Sequence, residues 1–73
     1  MIEWIDVADS SRVVAVAYDQ DEEVIMVRFA NDGVEWWYGD CPPHIWEQFT
    51  MPGTSKGRFI NEHLDQHPKG PLS

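Results

Sequence analysis

Four groupings of side chains in this sequence could do chemistry. The first is Cys41-Pro42-Pro43-His44, a thiol and an imidazole three positions apart at the entrance to a helical segment. A helix start can lower a thiol pKa and a neighbouring histidine can take its proton, which is the logic of a cysteine nucleophile. No third group to orient His44 is evident, and the chain has neither a glycine-rich phosphate loop nor a pair of carboxylates in acid–base spacing. The sequence therefore reads as non-enzymatic.

The same residues, with His63-x-x-x-His67, echo zinc-ligand spacing. One cysteine is too few for the common structural sites, and two prolines stiffen the segment where a ligand knuckle would have to turn. The three histidines are expected to be exposed, with no metal and no cofactor. Asp19-Gln20-Asp21-Glu22-Glu23 lacks the central glycine and flanking helices of a calcium loop and reads as a solvated turn.

The last two groupings suit binding. Trp37 alternates with Trp36 and Tyr38, and a sheet register would set it beside Met26 and Arg28. That makes an aromatic and basic patch of the kind that stacks a base or grips a peptide, unless the segment holding Trp4 and Ile5 folds across it. Lys56, Gly57 and Arg58 open a second helix, where an anion would be welcome, and Asn61 lies one turn further on.

Charge decides between partners. The 73 residues hold 13 acids against 5 bases, for a net charge of −8. The first fifty positions carry net −9 and the remainder net +1. Nucleic-acid affinity rests on neutralised phosphates, so RNA is disfavoured over most of the surface. A protein partner, itself basic, fits the acidic half better. One cysteine cannot form an internal disulfide, and no apolar run reaches the roughly 18 residues of a membrane span. Met1-Ile2-Glu3-Trp4 has no signal-peptide character. A cytoplasmic protein, monomeric or homodimeric, is expected.

The elements that must position these groups follow from periodicity. Arg12–Tyr18, Val24–Ala30 and Val34–Tyr38 are short and rich in β-branched and aromatic residues, with Asp19–Glu22 and Asp32-Gly33 as turns between them. Asp32-Gly33 at a two-residue tip would set Val14, Val16, Tyr18, Ile25, Val27, Phe29, Val34, Trp36 and Tyr38 on one face. Beyond Gly39 the apolar period lengthens. Asp40 or Cys41 would cap a helix beginning at Pro42-Pro43 and carrying Ile45, Trp46 and Phe49. Thr54 or Ser55 would cap a second, with Phe59, Ile60 and Leu64 buried. The expected fold class is α+β, a three-stranded antiparallel meander followed by two helices packed on one face. It forms one domain over residues 1–73, ordered over about 9–67, with a frayed tail at 68–73. The expected core is Val14, Val16, Ile25, Val27, Phe29, Trp36, Tyr38, Ile45, Phe49, Phe59, Ile60 and Leu64.

Four short motifs in this order resemble the KTSC domain, a small family named for the C-terminal extension of some lysyl-tRNA synthetases. Ser10-Ser11 with Val13, Val16 and Tyr18 resembles its opening. Trp36-Trp37-Tyr38 is similar to its aromatic-x-aromatic signature, with a tryptophan where the family usually has a tyrosine. Cys41-Pro42-Pro43-His44-Ile45-Trp46 matches its proline element, with a thiol where an aliphatic residue is commoner. Ser55-Lys56-Gly57-Arg58-Phe59-Ile60-Asn61 is similar to its Ser-x-Gly-x-aromatic-x-Asn element. The resemblance spans roughly residues 9–67 and implies this fold. It marks Ser11, Tyr18, Trp36, Tyr38, Pro42, Ser55, Gly57 and Asn61 as motif positions. Family function is unassigned, and RNA or tRNA binding has been supposed for it by association with the synthetases. The expectation taken forward is a non-catalytic binding module with a protein partner and RNA as the alternative.

Overall fold

The computed structural model describes residues 2–72. Its elements run β1 (Ile5–Asp6), β2 (Val13–Asp19), β3 (Val24–Phe29), β4 (Glu35–Tyr38), α1 (Pro43–Phe49), α2 (Lys56–Glu62), a single 3-10 turn (Leu64–Gln66) and β5 (Lys69–Pro71). The strands form one antiparallel sheet in the order β1-β2-β3-β4-β5. The α+β class and the two helices stand as expected, but the sheet has five strands rather than three. The central meander is flanked by two short strands whose sequences carry no strand pattern. β1 has two residues, and β5 contains Gly70 and Pro71, which are poor strand formers.

The tail is likewise not frayed over its described residues. Lys69, Gly70 and Pro71 pair with Tyr38, Trp37 and Trp36, and the Gly39 N–H donates to the Pro68 carbonyl at 2.7 Å. Ser73, the end of that expected tail, and Met1 lie outside the described residues.

Both central hairpins turn through four residues. Tyr18 pairs with Ile25, and Val27 with Trp36, each two residues away from the register expected. The Phe29 carbonyl accepts from Gly33 and the Phe29 N–H donates to Val34, so Ala30–Gly33 form the loop, with only Gly33 at positive φ there. A slip of two keeps every side chain on its face, because the alternation has period two. A bulge between Val13 and Ala15 does not. It turns Val13 into the core, fully buried, and leaves Val14 39% exposed, reversing their expected roles.

The helices lie over the face carrying Val16, Ile25, Val27 and Tyr38, and enclose Cys41, Phe49, Phe59, Ile60 and Leu64 with them. Phe29, Trp36 and Ile45 pack at the edge of this core rather than in its centre. α1 begins after Pro42, so neither Asp40 nor Cys41 caps it; Asp40 instead takes the left-handed conformation at φ 54°. Ser55 caps α2, its hydroxyl accepting from the Arg58 N–H at 3.4 Å. No helix among the described residues is long and apolar enough to cross a membrane.

Candidate functional site

Of the expected binding residues, Trp37, Met26 and Arg28 do share the sheet face opposite the helices, in adjacent register. They do not form an open patch. Met26 is only 6% exposed, and Ala15 and Ala17 beside it are buried. The Arg28 guanidinium lies 4.6 Å from the centre of the Trp4 ring, while its Nε donates to Glu35 at 2.7 Å. The N-terminal segment thus covers this face, as one reading of the sequence had it, but over Arg28 rather than Trp37. Trp37 is half-buried against the C-terminal strand, where a Cβ on Gly70 would come within 3.0 Å of its Nε1. Gly70 has to be bare for the indole to lie flat there.

Lys56 also differs from expectation. It is 8% exposed, with its stem in the fold and its ammonium 5.9 Å from the centre of the Phe49 ring. The long alkyl chain covers apolar surface, as lysine stems do, and the side chain is not a free cation at the helix start. Gly57 is buried beside it, whereas Arg58 and Asn61 are exposed. The Arg58 Nε donates to Glu62 at 2.9 Å. Asn61 does not line the hollows described below.

Cys41 is fully buried and packs as a small hydrophobe. Burial pushes the thiol up to about 11, with the Asp40 and Glu23 charges adding to it and a bond from the Ile25 N–H opposing. Its neighbours are the Tyr38 and Gly39 carbonyls at 3.4 and 3.3 Å and His67 Nδ1 at 3.7 Å, not His44. His67 is half-buried rather than exposed, with Nδ1 2.9 Å from the Gly39 carbonyl. A carbonyl only accepts, so that nitrogen carries the hydrogen and cannot take the thiol proton. The arrangement offers no nucleophile. No cluster of three or more potential metal ligands occurs among the described residues.

Several motif positions turn out to build the core. The Tyr18 hydroxyl donates to the Cys41 carbonyl at 2.6 Å, and its ring stacks on Trp46 with centroids 5.3 Å apart. Tyr38 is buried, and Pro42 sets the start of α1. Of the other five, all but Asn61 meet on the surface. Ser11, Ser55 and Gly57 line a hollow of about 380 Å³ between the 9–12 loop and the start of α2, together with Arg12, Lys56 and Arg58. A wider hollow of about 840 Å³ adjoins it, lined by Phe29, Val34 and Trp36, and shares Ser11 and Arg12 with the first. Arg12 therefore stands between an end lined by hydroxyls with Asp9 and Arg58 and an end where Phe29, Val34 and Trp36 lie beside Asn31 and Asp32.

Arg12 was not among the residues singled out from the sequence. Its one advance signal is Gly57, a glycine inside a helix where alanine would be favoured. A Cβ on Gly57 would lie 3.0 Å from Arg12 Cδ, so the glycine makes room for the arginine.

A five-stranded antiparallel sheet with two short helices on one face, its surface groove built from segments far apart in sequence, defines a small α+β domain. The KTSC domain family model matches residues 9–67, and the chain belongs to that family. A protein of Tsukamurella paurometabola is 32% identical over 53 residues, covering 73% of this chain and 76% of its own. The crystal structure of a KTSC domain protein from Yersinia pestis superposes with a TM-score of 0.86 over the whole of both chains at 24% identity, which is a likeness of fold.

Proposed function

We propose that this KTSC domain is a non-catalytic binding module whose partner is a protein, and that the groove around Arg12 is where it binds. The observation that carries the reading is convergence. Ser11, Trp36 and the Ser55–Gly57 pair come from three separate parts of the chain and meet on one surface, while the other motif aromatics serve the core. The two hollows are of the size that receives a small group of atoms with a few placed polar contacts. The covered patch at Met26 and Arg28 takes no part. The lone buried thiol suits a reducing compartment such as the cytoplasm.

A protein is favoured over RNA by the surroundings of the groove. Asp9 and Asp32 line it, within a domain of net charge −8. A chain of phosphates would meet repulsion on both sides of the few cations present.

Capture from a native lysate on the immobilised domain, run beside an Arg12→Glu, Arg58→Glu variant of equal melting temperature, tests the reading. A protein retained by the original chain and lost by the variant is the expected result. Retention of RNA in place of protein, weakening steeply as salt is raised, would replace this reading with the nucleic-acid one.

A further inference from the structure

We propose that the groove holds the last residue of a partner polypeptide, with its terminal carboxylate on Arg12 and its apolar side chain against Trp36; this rests on the protein-binding reading above and names its ligand chemistry.

Four of the five basic side chains are already engaged within the chain. Arg28 is paired with Glu35 and Arg58 with Glu62. Lys69 is paired with Asp65, and Lys56 is folded over Phe49. Among the described residues Arg12 alone of the three arginines forms no ion pair, in a chain where acids outnumber bases 13 to 5. Asp9 and Asp32 share the groove with it, yet neither bonds its guanidinium, which leaves that fork open to an anion from elsewhere.

Arg12 is also held in place. The Ser10 hydroxyl accepts from the Arg12 and Val13 N–H groups at 3.3 and 3.2 Å, and the Arg12 carbonyl accepts from Ala30 at 2.7 Å. Its side chain crosses the bare face of Gly57. The backbone is fixed before any ligand arrives, which lowers the ordering cost of binding.

The shape of the groove then selects the ligand. On one side of Arg12 lie the hydroxyls of Ser11, Thr54 and Ser55, and on the other Phe29, Val34 and Trp36. A ligand that fills both ends carries a planar anion and an apolar group close together. A C-terminal apolar residue carries both on a single Cα, and its carboxylate matches the two-pronged guanidinium. Asp9 and Asp32 in the lining oppose any further negative charge, so one carboxylate on Arg12 is accepted where a run of phosphates or acidic residues is not.

Amide and indole shifts of the isotopically labelled domain test this. The probes are pentapeptide mixtures fixed at the last position as phenylalanine, leucine or valine, each with a free or an amidated terminus, and a single-stranded hexauridylate. The expected result is saturable shifts at Ser11, Arg12, Gly57 and the Trp36 indole with a free-acid mixture. Binding should weaken about tenfold or more on amidation and on Arg12→Gln, with Arg12→Lys recovering only part. Equal binding of amidated and free peptides overturns the assignment of the terminal carboxylate. Shifts at these residues with the oligonucleotide but no peptide overturn it in favour of RNA. If every peptide is silent while the domain still captures a protein in an Arg12-dependent way, the terminal-residue ligand fails and the protein-binding reading stands. Loss of both removes both.

Discussion

Arg28 on β3 and Arg12 in the loop before β2 lie on opposite sides of the sheet, in opposite circumstances. Arg28 lies over Trp4 and is bonded to Glu35 at 2.7 Å, above a row of buried Ala15, Ala17 and Met26. Arg12 lies over a glycine and forms no ion pair among the described residues. In the first case the cation, the aromatic ring and the carboxylate satisfy one another and seal a face. In the second the aromatic and hydroxyl groups flank an arginine whose charge is unanswered. Residue type alone does not mark a binding surface. An aromatic and basic patch is a closure when its charge is paired within the chain and a receptor when it is not.

The comparison breaks most easily at Trp4. If the segment before β1 closes the back face, Trp4→Ala uncovers Met26 and the alanines beside it and removes the ring under Arg28. Loss of about 2–3 kcal/mol in chemical denaturation is expected, toward the lower end of large-to-small aromatic changes because the ring is half-exposed. Arg28→Ala should act in the same direction by about 1 kcal/mol, and Arg12→Ala should stay within about 0.5 kcal/mol. A Trp4→Ala domain as stable as the original would mean that the back face is open and the contrast false.

How much of this contrast could be read in the sequence depends on period and on reach. The face assignments survived a two-residue error in both hairpins, since Ile25, Val27, Trp36 and Tyr38 keep their side whenever the slip is even. The bulge at Val13 was invisible because Val-Val-Ala-Val reads the same with either valine inward. β1 and β5 were invisible because a two-residue strand and a Lys-Gly-Pro strand owe their form to the neighbours they pair with. A quarter of the groove's lining was legible as motif positions, at Ser11, Trp36, Ser55 and Gly57. Lys56 misled because its charge suggests solvent while its four-carbon stem is what the fold uses.

Beneath the helix-bearing face the Cys41 thiol sharpens the comparison, since it tests whether that face holds any chemistry besides the groove. The folded thiol sits at about 11 against an ordinary 9.0, so the fold disfavours the thiolate. Stability from this group is complete below pH 9 and is lost as pH rises through 11, by about 3 kcal/mol for a shift of that size. Burial raises the Tyr18 and Tyr38 phenols as well, which steepens the same alkaline loss. Denaturation midpoints should be flat to about pH 9 and fall beyond it, with the fall reduced in Cys41→Ala. Alkylation at pH 8 should run far slower than in unfolded chain. Rapid labelling of the native protein would show an accessible thiolate and a second reactive feature on this face.

The smallest stability effect is the most direct test of why the two arginines differ. Gly57→Ala adds one methyl 3.0 Å from Arg12 Cδ, the movable part of a long side chain, and does so in a helix that alanine favours by about 1 kcal/mol over glycine. The two terms oppose each other, so the folded domain should be as stable as before to within about 0.5 kcal/mol. Arg12 Cδ, however, has to give by a few tenths of an ångström, which shifts the guanidinium from its place in the groove. The expected signature is an unchanged melting curve with free-acid peptide binding weakened, though by less than in Arg12→Gln. If Gly57→Ala binds as well as the original chain, the position of Arg12 over the helix is incidental. Its contrast with Arg28 would then reduce to one paired and one unpaired surface charge.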